Sequence, residues 1–217
     1  MLRGVIFDLD GVVIDSHPIH RRAWRRFLES LNVPVTDEQL EFVTQGGKRE
    51  DILRYFLGPL SDEQVQKYGV RKEALFREEA FEIQPVKGLA ELLTELEATG
   101  VCVGLASCGS RARVRYVLER LGWITRFVAI VTGDDVLHGK PDPTIFWKAA
   151  AQMQVSAEHS VVIEDAVPGI RAARAAGMRA VGIATNGGTQ ALLAAGASRV
   201  VHDFYSLRVP DLQGLFE

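Results

Sequence analysis

The chain has 217 residues, 47% hydrophobic and 24% charged, the make-up of a folded globular protein and too apolar for disorder. Its 25 Lys+Arg against 28 Asp+Glu give a formal net charge of -3, without the basic surplus that nucleic acid or an acidic membrane surface demands. Two cysteines with no CxxC exclude a disulfide framework and a zinc site, and the length predicts one to two domains with a full core.

The first ten residues, MLRGVIFDLD, meet an aspartate at position 8 and read as a strand rather than a leader. No run of 18 apolar residues follows, so the expected location is the cytoplasm. Residues 16–85 then hold only helical patterns. In 17–31, Ile19, Ala23, Phe27 and Leu31 recur every four residues behind Pro18, with Asp15 or Ser16 as cap. Thr36-Asp37-Glu38-Gln39 and Ser61-Asp62-Glu63-Gln64 both match the capping box, and Gly46-Gly47 breaks the chain before a helix at about 48–57. From about residue 86 the pattern alternates. Short apolar runs at 101–106, 127–131, 161–163 and 180–183 are separated by helical stretches at 88–98, 111–121, 144–153 and 169–176. Runs apolar on both faces fit buried parallel strands. The predicted fold is α/β, a doubly wound parallel sheet formed by 1–15 and 86–217, with an all-helical domain of residues 16–85 inserted after the first strand.

Ligands of such a sheet bind at the carboxyl ends of its strands. Those ends carry Asp8-Leu9-Asp10-Gly11, Ser107-Cys108-Gly109-Ser110, Gly139-Lys140-Pro141-Asp142 and Glu164-Asp165. Asp8 and Asp10 alternate, so both face one cleft. They read either as turn-forming aspartates before a glycine or as a nucleophilic carboxylate beside an acid/base carboxylate. Attack on a phosphate dianion needs cations, and Mg²⁺ suits oxygen ligands; Glu164 and Asp165 read either as an acidic pair at a helix N-terminus or as further donors to that ion. Lys140 is either a surface lysine in a Pro-rich turn or the bridge between nucleophile and phosphoryl oxygens. Ser107 is either a helix cap or a phosphate ligand.

Taken together, FDLDG, the Ala-Ser-Cys stretch, KPDP and IEDA resemble the four motifs of the haloacid dehalogenase superfamily of phosphotransferases, over essentially the whole chain. The resemblance implies Asp8 as phosphoryl-accepting nucleophile and Asp10 as general acid/base. Mg²⁺ would be held by Asp8, Asp165 and the Asp10 carbonyl, with Glu164 supporting its water shell. Phosphate would be held by Ser107, Lys140, Cys108 and the Leu9 and Gly11 positions. DSHPIHRRAW and GGKRED resemble the β-phosphoglucomutase-like branch, which implies a helical cap placing His20, Gly47, Arg49 and Lys72 against the substrate. Arg111, in the Ser107 loop region, reads either as an exposed helix residue or as a grip for a second anion. The second aspartate favours phosphate over halide. The expected activity is an Mg²⁺-dependent phosphatase acting on a small phosphorylated metabolite, with a phosphosugar mutase as the alternative and a phospho-accepting signalling protein as a distant one. The expected chain is monomeric, with no nucleic acid or membrane partner.

Overall fold

The computed structural model describes residues 1–217 except 82, 186 and 187. Six strands form one parallel sheet: β1 (Gly4–Phe7), β2 (Cys102–Ser107), β3 (Ala129–Thr132), β4 (Ser160–Glu164), β5 (Arg179–Ile183) and β6 (Arg199–Val201). Their order is β3-β2-β1-β4-β5-β6, so the chain reverses its winding direction beside β1. That reversal opens a crevice at the strand ends. Gly4–Phe7 pairs with Cys102–Leu105 on one side and Ser160–Ile163 on the other.

The period-2 geometry of a strand divides its apolar side chains between two cores. Val5, Phe7, Leu105 and Ile163 face a cluster with Leu89, Leu92 and Leu93 of α5 (Leu89–Ala98) and Val114, Val117 and Leu118 of α6 (Arg111–Leu121). Ile6, Ala106 and Val162 face the opposite cluster, with Ile145 and Phe146 of α7 (Thr144–Met153) and Ile170 of α8 (Val167–Ala175). Each fully buried Phe, Ile or Leu contributes about 1.5–3 kcal/mol. The sequence pattern therefore located five strands and these four helices within a few residues. It missed β6, a half-buried edge strand of three residues, and the short helices α9 (Thr189–Ala194) and α10 (Val209–Gly214). Among the described residues no helix is long and apolar enough to cross a membrane.

Between β1 and α5 the described chain is helical: α1 (His17–Glu29), α2 (Asp37–Glu41), α3 (Arg49–Leu57) and α4 (Asp62–Glu79). Both predicted capping boxes form, at Thr36/Gln39 and Ser61/Gln64. These helices share a cluster of their own around Trp24, Phe27, Leu40, Leu53 and Val65. The two segments leading into and out of them run side by side. Ile14 bridges Pro85, and the Val86 N–H donates to the Val13 carbonyl at 3.0 Å.

Candidate active site

Asp8 follows the last residue of β1 and is buried. Lys140 Nζ donates to Asp8 Oδ1 and Glu164 Oε1, both at 2.6 Å, and to the Ala106 carbonyl at 3.2 Å. One ammonium thereby places its three protons on groups from the ends of β1, β2 and β4. Burial opposes the lysine's charge, but Asp8 and Glu164 outweigh it and hold its pKa above the ordinary value. Burial is also the largest influence on Asp8 and pushes its carboxyl up to about 7, with Lys140 pulling down against Glu164 and Asp10. Burial raises Glu164 as well. Its second oxygen, Oε2, accepts the Ala166 N–H at 2.8 Å. Glu164 is thus turned toward Lys140 and the start of α8.

Asp10 forms the second centre. Its N–H donates to Asp8 Oδ2 at 3.1 Å. Its carboxylate collects Ser16 Oγ at 2.6 Å, His20 Nε2 at 3.0 Å and Arg113 Nη1 at 2.7 Å from each oxygen. Ser16 is the N-cap of α1 yet spends its hydroxyl on Asp10 instead of the helix end. Burial works against the Asp10 charge, but Arg113 and His20 prevail and hold its pKa well below the carboxylate range. Lys72 Nζ lies 3.1 Å from His20 Nδ1. Burial lowers Lys72 to about 8, so it remains charged and donating at neutral pH. The ring Nδ1 then accepts, and Nε2 lies between Asp10 Oδ1 at 3.0 Å and Arg113 Nη1 at 2.8 Å. Burial, followed by Lys72, drives His20 down to about 3 and keeps it neutral.

Asp165 is paired with His17, Nε2 to Oδ2, at 2.9 Å, a partner that sequence reading did not single out. Gly11 lies beneath this pair. Its φ of +75° and the closeness of the Asp165 carboxylate leave no room for a Cβ. Its amide donates to the Ile14 carbonyl at 2.8 Å. Gly11→Ala is expected to cost about 1–2 kcal/mol in backbone strain alone, lowering Tm by several degrees. Thermal unfolding of the two proteins checks this, and an unchanged Tm would show that the turn relaxes freely.

Leu9 buries its side chain in the core and leaves only its main chain toward the site. Ser107 and Cys108 line the cleft, Ser107 Oγ accepting the Gly109 N–H at 3.1 Å; burial pushes the Cys108 thiol up. His20, Gly47, Arg49 and Lys72 also line it. Arg111 does not. Its side chain is 65% exposed and pairs with Asp135 at 2.5 Å. It sits at the first position of α6, where the chain points outward, and the buried guanidinium is Arg113, two residues on. Arg113 lies across Gly109, where any side chain would collide with it. Glu73 is another charged lining residue that sequence reading missed.

The cleft lies between the strand ends and the helical segment and is lined from both. A buried carboxylate–lysine pair thus stands at the winding reversal, with a second carboxylate two residues on. Residues 5–183 match the haloacid dehalogenase-like hydrolase family. The chain belongs to that family. A β-phosphoglucomutase of Bacillus subtilis (strain 168) is 35% identical over 84% of this chain and 83% of its own. A validoxylamine A 7'-phosphate phosphatase of Streptomyces hygroscopicus subsp. limoneus is 32% identical over 98% of this chain and 99% of its own. The crystal structure of a β-phosphoglucomutase from Clostridium difficile superposes with a TM-score of 0.89 at 27% identity, covering 100% of this chain and 97% of that one. This haloacid dehalogenase-like hydrolase is therefore an enzyme acting on phosphate esters, a sugar phosphate phosphatase or mutase.

Proposed function

We propose that the enzyme is an Mg²⁺-dependent phosphatase of small phosphorylated sugars, working through a phosphorylated Asp8, with residues 16–85 acting as a cap over the sheet. The observation that carries this reading is the Asp8–Lys140 ion pair at 2.6 Å, joined by the Asp10 N–H on the other carboxylate oxygen. Asp8 Oδ1 is thereby held rigid at the switch point for attack on phosphorus. Lys140, charged throughout the physiological range, offsets the repulsion between carboxylate and phosphate. Asp10 protonates the leaving oxygen and then removes a proton from the water that releases phosphate. The Arg113 and His20 contacts favour its ionised form, the one needed for the second step.

The donor set fits a hard cation. Burial holds Asp8, Glu164 and Asp165 all above their ordinary pKa values, and Lys140 and His17 are the partners facing them. Among the described residues no group of three or more His, Cys, Asp or Glu forms a closed cage. Mg²⁺ does not need one, since it keeps several waters and takes one or two carboxylates plus substrate phosphate. Asp8, Asp165 and the Asp10 carbonyl would hold it, and it would supply charge neutralisation for the phosphoryl oxygens.

A mutase is the second reading, favoured by the likeness to β-phosphoglucomutases. Arg111 weighs against it, because the cation expected to grip a second phosphate is turned outward onto Asp135. A screen of phosphorylated sugars with Mg²⁺, measuring inorganic phosphate and isomerised sugar together, is expected to give phosphate as the only product. Conversion of β-glucose 1-phosphate to glucose 6-phosphate, dependent on a bisphosphate primer and faster than phosphate release, would establish the mutase instead.

A further inference from the structure

Beyond Asp8 and Asp10, the cleft is walled by further charged side chains: Arg113 from α6, which also holds Asp10, Lys72 and Glu73 from α4, and Arg49 from α3. Each of the three cations already has a carboxylate. Arg113 is 2.7 Å from Asp10, Lys72 is 3.8 Å from Glu73, and Arg49 is 3.4 Å from Glu50. None of them is left over, in charge terms, for a second phosphate. Two atoms here are buried without a hydrogen-bond partner: Glu73 Oε2, an acceptor, and Arg49 Nε, a donor. Arg113 Nε lies 3.9 Å from Glu73 Oε2, close enough to hold the carboxylate ionised but too far to satisfy it. Arg49 is built into place. It lies across Gly69 in the middle of α4, where a side chain would strike the guanidinium. A glycine inside a helix is costly, and this contact accounts for it.

An unsatisfied acceptor and an unsatisfied donor on residues lining one cleft match the hydroxyls of a ligand, which donate to the one and accept from the other. We propose that Glu73, held between Lys72 and Arg113 and acting with Arg49, is a specificity subsite that takes the hydroxyls of an uncharged polyol leaving group and repels a second phosphate. The enzyme then acts on sugar monophosphates and discriminates against bisphosphates. This rests on the phosphatase reading above and adds to it which part of the substrate is read, and by which residue.

The test compares kcat/KM for a panel of pentose and hexose monophosphates, the corresponding bisphosphates, and n-butyl phosphate, in wild-type enzyme, Glu73→Gln and Glu73→Ala. The wild type is expected to favour the best monophosphate at least about tenfold over its bisphosphate and over butyl phosphate. Glu73→Gln removes the like charge at constant shape. It should narrow the preference over the bisphosphate by about tenfold, chiefly through a lower KM for the bisphosphate. Glu73→Ala should also narrow the preference over butyl phosphate. If the wild type releases phosphate from bisphosphates as readily as from monophosphates, the subsite assignment fails while the phosphatase reading stands. The same holds if both variants lose activity on all three substrate classes in equal proportion, the mark of a purely structural Glu73. If the wild type releases phosphate from no member of the panel, the phosphatase reading itself fails.

Discussion

Asp8→Asn is expected to reduce turnover by about 10⁴–10⁶-fold, the loss that follows removal of a nucleophile whose partners remain in place. The substitution is nearly isosteric. Lys140 keeps Glu164 at 2.6 Å, so the ammonium is not stranded, and the fold should hold. Steady-state phosphate release measures the loss, and trapping of labelled phosphate on wild-type protein but not on the variant locates it at Asp8. Substantial turnover by Asp8→Asn would eliminate the phosphorylated-aspartate route. The same variant has a stability signature. Asp8 is raised from 3.8 to about 7 in the folded chain. The folded state therefore binds more protons than the unfolded state across that window, and wild-type stability falls as pH rises through it. An amide at this position does not titrate, so the variant lacks this dependence. With a chelator present, the Tm of the variant minus that of the wild type should increase between pH 4 and pH 7.5. A flat difference would mean that Asp8 titrates normally.

Asp10→Asn is expected to lower kcat by about 10²–10⁴-fold, because an amide neither protonates a leaving alkoxide nor deprotonates water. Leaving group chemistry separates the two steps. A nitrophenyl phosphate expels an oxygen that needs little protonation, so it should restore phosphorylation of Asp8 but not the hydrolysis that follows. A burst of nitrophenol followed by slow turnover is the expected trace. An equal small loss on every substrate would remove Asp10 from the chemistry. This variant should also be less stable. Arg113 is buried with Asp10 as its close partner, and breaking such a pair costs about 3–5 kcal/mol. Kinetics must therefore be read well below its lowered Tm.

The sheet and the core of the site were legible because each strand carries its signal locally. An apolar run ends in a polar cluster, and the four clusters need only the parallel topology to meet. Asp8, Asp10, Ser107, Lys140 and Asp165 come together for that reason. Residues placed by helix rotation were harder to read. Arg111 and Arg113 differ by two positions on α6, which turns them to different sides. Arg113 stands four residues before Val117, in the buried stripe with Val114 and Leu118. A charge within an apolar stripe, behind a glycine at 109 that clears space for it, was the signal for the buried guanidinium. Glu73 carried no such mark. Its position beside Lys72 on a charge-rich helix looks like solvated surface until packing closes over it. His17 was hidden similarly, since its partner Asp165 lies 148 positions away and only the tertiary fold joins them.

The central position of β1 bears on how the chain folds. Gly4–Phe7 is made first, yet its partners are Cys102–Leu105 and Ser160–Ile163, with the helices α1–α4 emerging in between. No pairing of β1 is local, and closing such long loops slows the formation of a sheet. The intervening helices rely on short-range contacts and a cluster of their own, from Trp24 to Val65, so they gain structure without waiting for the strands. Order should therefore spread from the helical segment and from the β4–β5 pairing on either side of α8, with β1 entering last as the strand that joins the two halves of the sheet. The catalytic carboxylates ride on that strand, so the site would be completed in the same late step that completes the sheet.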